Sequence, residues 1–136
     1  MIKQINLRII NESDYQFLYD LLSMRNPKEN ISHKKMPTYL QHVKFIKSKP
    51  YSKWYVILNN KERIGSIYLS KNNEIGVFLS KKIQSKGYGQ QALKQIIEKN
   101  PRKQYLANIN PNNKKSNEFF MRNEFKLIQY TYELTN

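Results

Sequence analysis

Apolar and polar positions along the chain switch repeatedly between a period of two and a helical period, and the switches mark out its elements. Leu7-Arg8-Ile9-Ile10 reads as a short strand, and Asn11-Glu12-Ser13-Asp14 then supplies N-cap chemistry for a helix. In that helix Tyr15, Leu18, Tyr19 and Leu22 fall at i, i+3, i+4 and i+7. Residues 25–37, mostly polar and holding Pro27 and Pro37, read as a loop. A second helix is predicted from Thr38 to Lys47, burying Tyr39, Val43 and Ile46 and ending before Pro50. Three strands follow, Lys53 to Leu58, Ile64 to Leu69 and Glu74 to Leu79, with turns at Asn59-Asn60 and Lys71-Asn72-Asn73. From Gly87 to Glu98 the period is helical again, with Ala92, Leu93, Ile96 and Ile97 on one face. Tyr105 to Ile109 reads as a strand, Pro111 to Arg122 as a helix carrying Phe119 and Phe120, and Phe125 to Leu134 as a closing strand. The order β-α-α-β-β-β-α-β-α-β predicts an α+β fold, a mixed central sheet with flanking helices and one βαβ unit in its second half. Residues 1–136 are read as one domain.

Composition narrows the chemistry. The chain has no cysteine, so thiolate nucleophiles, thiolate metal sites and disulfides are excluded, and its two histidines, His33 and His42, are too few for a histidine cage. No metal is expected. The apolar runs are short and broken by Lys and Asn, and the first residues lack the apolar core of a signal peptide, so a cytoplasmic protein without a membrane partner is expected. The 24 Lys and Arg against 10 Asp and Glu leave a net charge of +14, which points towards an anionic partner. A compositional cause competes: Lys, Asn and Ile together make 50 of the 136 residues, a bias expected of an AT-rich coding sequence. A nucleic-acid-binding module would use the charge and the ten tyrosines. It is disfavoured, because the cations are spread along the whole chain and most tyrosines fall at strand or helix positions that suit a core.

One segment concentrates what remains. The four glycines, Gly65, Gly76, Gly87 and Gly89, lie within 25 residues of one another, and two stand in Gln84-Ser85-Lys86-Gly87-Tyr88-Gly89, between a strand end and a helix start. Glycines there let the backbone approach a ligand, and the N–H groups of a helix N-terminus bind anions with help from the dipole. Lys81, Lys82 and Lys86 add positive charge, so a diphosphate is the natural guest. The spacing is neither a Walker A loop nor a Rossmann fingerprint.

Val77-Phe78-Leu79-Ser80 followed by Gln84-x-x-Gly87-x-Gly89-x-x-Ala92-Leu93 resembles the acetyl-CoA-binding motif of the GNAT N-acetyltransferases. Asn110-Pro111-Asn112-Asn113-Lys114-Lys115-Ser116 through Phe119-Phe120 to Phe125-Lys126-Leu127 resembles the second motif of that family, and the element order agrees with its fold. The resemblance implies acetyl-CoA as co-substrate and direct attack of a primary amine on the thioester, which needs no cysteine. Main-chain groups of Phe78 and Leu79 would pair with the pantetheine arm, one N–H polarising the thioester carbonyl. The segment from Gln84 through Ser85, Lys86, Gly87 and Tyr88 to Gly89 would hold the pyrophosphate, and Asn113 and Ser116 would flank the CoA tail. Phe120 stands where many members place a tyrosine that protonates the departing thiolate, and Glu124 stands where a glycine is usual. With a thiol pKa of about 8.5 the thiolate leaves fairly well without an acid, and water or another tyrosine could substitute.

On the acceptor side, Glu74 shares a strand face with Gly76 and Phe78 by alternation, and His42 lies on the second helix. Both are candidate bases for the amine. Met24-Arg25-Asn26 and His42-x-x-Phe45-Ile46 before Trp54-Tyr55-Val56 resemble the pattern of acetyltransferases acting on nucleotide-linked amino sugars, as in the pseudaminic acid pathway. That resemblance implies a UDP-linked 4-amino sugar as acceptor, with Arg25 and Asn26 facing it or its phosphates. A protein N-terminus, a Lys side chain, another small amine, or a non-catalytic CoA-binding role are the alternatives. An exposed edge on the closing strand would allow pairing with a second subunit.

Overall fold

Four strands build one antiparallel sheet in the order β1-β2-β3-β4: β1 Asn6–Ile9, β2 Lys53–Asn59, β3 Glu62–Leu69 and β4 Ile75–Leu79. The computed structural model describes residues 4–25, 35–84 and 87–136. Asn60 and Asn73 take the left-handed conformation in the two hairpin turns, φ 58° and 68°, which asparagine tolerates better than most residues. The register pairs Trp54 with Tyr68 and Ser66 with Phe78, so these side chains share one face. Tyr55, Ile57, Ile67, Ile75 and Val77 occupy the other, against Ala92, Leu93 and Ile96 of α3, Tyr88–Lys99. The helices α1, Tyr15–Ser23, and α2, Tyr39–Lys47, belong to the first face, where Leu18, Leu21 and Ile46 are buried.

The helix starts follow the polar residues ahead of them. Thr38 caps α2 in a reciprocal box: its hydroxyl accepts from Gln41 N, and Gln41 Oε1 accepts from Thr38 N. Asn11 caps a single 3-10 turn, Glu12–Asp14, ahead of α1. Asp14 is fully buried and clamped by two arginines: Arg8 binds both carboxylate oxygens at 2.9 Å, and Arg63 Nε binds Oδ1 at 2.9 Å. Arg63 reaches this face because the β2–β3 register shifts between Ile57 and Leu58. Burial alone would raise the Asp14 pKa; Arg8, the Asn11 amide and Arg63 outweigh it and hold the carboxyl below its ordinary value.

Four expectations change. Of the segment Tyr105 to Ile109 only Leu106 pairs, in a parallel bridge with Glu74, and Phe125 to Leu134 forms no strand among the described residues. Alternation confers a capacity to pair, not a partner, and Leu127, Ile128, Tyr130, Tyr132 and Leu134 stand exposed. The sheet edge expected on that closing strand is therefore not formed. In α2, His42 and Ile46 are buried while Tyr39 is turned outwards, and α4, Lys114–Arg122, begins at its cap Asn113 rather than at Pro111. No helix among the described residues is long and apolar enough to cross a membrane.

Candidate active site

Beyond Leu106 the chain leaves β4 unpaired, and the wedge that opens is part of a cavity of about 480 Å³. Its walls come from both sides of the split: Ile75 to Phe78 on β4, and Asn108, Ile109 and Asn110 on the diverging segment. Asn113, Ser116 and Phe120 of the α4 region close one side, and Arg25, His42, Phe45, Tyr51, Trp54 and Tyr68 line the other. The cavity thus joins the end of β4 to the space beneath α1 and α2.

The ladder decides which main-chain groups face the wedge. Ser70 N donates to Glu74 O at 2.8 Å and Ser80 N to Ile64 O at 2.9 Å, so residues 74, 76, 78 and 80 bond towards β3. Ile75 N donates the other way, to Leu106 O at 2.8 Å. By the same alternation Val77 and Leu79 face the open edge. The expectation that Phe78 offers its main chain at the open edge is therefore corrected: Phe78 is committed to the sheet opposite Ser66, and the main-chain groups that face the edge are those of Val77 and Leu79. What sequence alternation could not give was the phase of the ladder. Phe78 instead contributes its ring, which lies under the Arg25 guanidinium at 4.1 Å.

Past Leu79 the strand end meets the glycine segment. Gln84 Nε2 donates to Leu79 O at 3.2 Å, which draws the segment back onto β4. Gly87 is the N-cap of α3 in the left-handed conformation, φ 82°, and as a glycine it brings no capping side chain to the first turn. A helix start with a glycine cap near the end of β4 is a site suited to a diphosphate. Tyr88 packs on the core, its hydroxyl accepting from Asn59 Nδ2 at 3.4 Å. A Cβ on the buried Gly89 would stand 3.2 Å from Phe119 Cε1, so glycine brings α3 and α4 together there. Lys81 and Lys82 are exposed, while Ser85 and Lys86 lie outside the described residues, as do Asn26 and His33.

On α4, Asn113 accepts from Ser116 N at 3.1 Å as the helix cap, and both residues line the cavity. Phe120 is buried, with its ring edge-on to Phe119 and Phe125 at 5.1 Å. His42 is buried at the cavity wall, 5.7 Å from the Tyr19 ring and 6.3 Å from that of Phe45. Glu74 is differently placed. Its carboxylate accepts from Ser70 Oγ at 3.0 Å and from Asn108 Nδ2, and it does not line the cavity. Glu74 pins the start of the wedge instead of facing an amine directly.

Sequence reasoning passed over a pair of tyrosines. Tyr51 and Tyr68 stack flat, centroids 3.7 Å apart and planes 6° apart, and are the tyrosines among the described lining residues. Burial, then the Tyr68 hydroxyl, pushes the Tyr51 pKa far up; burial likewise raises Tyr68, with Glu74 adding to it while Tyr51 and Arg25 act against it. Both hydroxyls stay protonated at neutral pH. The one available clue was Gly76, opposite Tyr68 in the register. Arg25 and Lys35 bring positive charge to the cavity, and no Asp or Glu is among its described lining residues. Nor do the described residues hold a group of three or more His, Asp or Glu that could bind a metal ion.

The fold has counterparts among solved structures. The structure of a domain from Methanocaldococcus jannaschii is similar at a TM-score of 0.82 and 23% identity, covering 96% of this chain and 93% of that one. RimL, a ribosomal alpha-N-protein acetyltransferase in complex with coenzyme A, is similar at 0.75 and 20%, covering 94% and 83%. A spermidine N-acetyltransferase from Vibrio cholerae in complex with CoA and spermine is similar at 0.59 and 17%, covering 71% and 63%. None of the curated protein sequences compared with the chain matches it. The model of the acetyltransferase (GNAT) domain family matches residues 4–126. With the split sheet, the glycine-headed helix and that match together, the chain belongs to the GNAT family of acetyl-CoA-dependent N-acetyltransferases.

Proposed function

We propose that the enzyme acetylates the amine of an acceptor that carries negative charge, and that a nucleotide-linked amino sugar is this acceptor. The observation that supports it is the charge of the cavity wall: Arg25 and Lys35 line it, and no described carboxylate does. A polyamine would bring only positive charge into that space and be repelled. The aromatic wall of Phe45, Tyr51, Trp54 and Tyr68 suits the apolar face of a sugar or a base. Arg25, over the Phe78 ring, presents the kind of planar donor that pairs with phosphate oxygens.

In this reading acetyl-CoA lies with its pyrophosphate at the start of α3, in the segment from Gln84 to Gly89. Its pantetheine runs along Val77 and Leu79, and its tail passes Asn113 and Ser116. The Val77 N–H polarises the thioester carbonyl and stabilises the oxyanion formed by attack. His42, buried in the wall facing the acceptor, is the candidate to take the ammonium proton.

Titration calorimetry with UDP on protein saturated with CoA tests the acceptor side. UDP is expected to bind the CoA complex, and Arg25→Leu is expected to weaken that binding about tenfold, the loss of one charge-assisted pair. UDP that binds only by displacing CoA, or that fails to bind the complex, would overturn the nucleotide-linked acceptor.

A further inference from the structure

Glu74 does not line the cavity, but a side chain bonded to it does: Asn108 stands in the wall and donates Nδ2 to the Glu74 carboxylate. We propose that Asn108 is a catalytic residue whose carbonyl Oδ1 accepts an N–H of the attacking amine. Glu74 and Ser70 are then positioning residues that fix which way its amide points. The proposal rests on acetyl transfer taking place in this cavity and holds for any primary amine.

The ladder places Asn108 at the reacting edge. Leu106 N donates to Asn73 O at 2.7 Å, and Ile75 N donates to Leu106 O at 2.8 Å. Continued in register, a parallel ladder would next set Asn108 between Ile75 and Val77. That pairing is not made among the described residues, because the chain has diverged. Asn108 therefore stands across the opened wedge from Val77, the residue whose N–H is assigned to the thioester carbonyl, and both line the cavity. Two residues beyond Leu106, the bridge partner of Glu74, its side chain also returns to the face of Glu74.

The hydrogen bonds behind Asn108 run one way. Ser70 Oγ accepts from Asn72 N at 3.2 Å and from Glu74 N at 3.0 Å, which takes both lone pairs of the hydroxyl. Ser70 can then only donate, and does so to Glu74 Oε1 at 3.0 Å. A carboxylate only accepts, so the amide atom turned to Glu74 Oε2 has to be the nitrogen of Asn108. Its Oδ1 is left for the cavity. Arg25 and Lys35 bring only donors to that wall, whereas the amine needs an acceptor. Its N–H bond to Oδ1 strengthens as attack leaves the nitrogen positively charged.

Glu74→Gln reverses this chain without changing its shape. Ser70 still has to donate and takes the new amide's oxygen, so the new NH2 donates to Asn108 Oδ1 and Asn108 turns its own NH2 to the amine. Release of CoA thiol is followed with the UDP-linked 4-amino sugar or spermidine, whichever the wild type acetylates. Glu74→Gln and Asn108→Ala are each expected to lower kcat about tenfold, the loss of one charge-assisted hydrogen bond, with the KM for acetyl-CoA unchanged. Combined, they should lose no more than Asn108→Ala alone, since Glu74 acts through Asn108. Adding Asn108→Asp to Glu74→Gln returns an accepting oxygen to the cavity and should recover kcat at high pH. The carboxylate it brings keeps the amine protonated to higher pH, so the acid limb of the kcat profile should move up by about one unit. Arg25, Lys35, His42, Tyr51 and Tyr68, the other titratable side chains of the described wall, are common to all these variants, so the shift reports on position 108. Wild-type kcat in Asn108→Ala, losses that multiply in the pair, or a recovery that leaves the pH profile in place would overturn the assignment while leaving acetyl transfer intact. A wild type that acetylates neither amine would overturn both.

Discussion

Tyr68 lies across Gly76, and nothing larger than hydrogen fits between them: a Cβ on the glycine would stand 2.3 Å from Tyr68 Cε2. Two strands, one turn apart, thereby hold a phenol at the point where β4 leaves its neighbour. Gly76→Ala is expected to push Tyr68 off Tyr51 and cost about 1–2 kcal/mol of stability, at the low end of overpacking because the ring can swing. The same variant should raise the KM for the acceptor several-fold, because a displaced Tyr68 ring reshapes the cavity wall, with the KM for acetyl-CoA unchanged. Thermal melts and initial rates on one preparation check both.

The clamp on Asp14 is expected to dominate the acid sensitivity of the fold. Its carboxyl is held below its ordinary value by Arg8, the Asn11 amide and Arg63 acting against burial. The stability it contributes is fully present above the unfolded value, about 4, and is lost as pH falls through the lower folded value. Asp14→Asn is expected to destabilise by about 3 kcal/mol, the low end for breaking a buried pair, because both arginines are about a third exposed. Urea unfolding from pH 7 to pH 2 should show the difference between wild type and variant shrinking as the acid limit is approached.

Gly87 stands at φ 82° ahead of α3, a conformation that costs a side chain about 1–2 kcal/mol. Gly87→Ala should therefore weaken acetyl-CoA binding by moving the first turn of α3, and raise the KM for acetyl-CoA several-fold with kcat little changed. A variant that changes kcat alone would remove the helix start from the binding site.

Phe78→Leu keeps a hydrophobic side chain at the cavity wall but removes the ring beneath Arg25. The expected effect is a several-fold higher KM for an anionic acceptor, from loss of about 1 kcal/mol of cation–π and packing support, with the KM for acetyl-CoA unchanged. Steady-state kinetics with each substrate varied in turn separates the two.

The strands and helices were legible because their periods are local: Tyr15, Leu18 and Leu22 or Ile64 to Leu69 need no distant partner to be read. The glycine segment was legible because glycine is otherwise scarce. Three things were not legible, and each depends on what lies across the sheet. The choice of Val77 over Phe78 is a matter of ladder phase, fixed by Ser80 bonding to Ile64. Glu74 looked available to an amine, but Ser70 and Asn108 occupy its carboxylate. Tyr51 and Tyr68 are brought into contact only by the β2–β3 register that sets Trp54 opposite Tyr68. Phe125 to Leu134 shows the converse, a strand pattern with no partner among the described residues.

Release of CoA thiol from acetyl-CoA, followed with a UDP-linked 4-amino-4,6-dideoxy sugar and with spermidine in parallel, tests the central claim most directly. The charge of the wall around Arg25 and Lys35 predicts a kcat/KM at least about tenfold higher for the UDP-linked amine, falling towards the spermidine value in Arg25→Leu. A preference for spermidine, or a UDP-linked amine that is not acetylated, would contradict it.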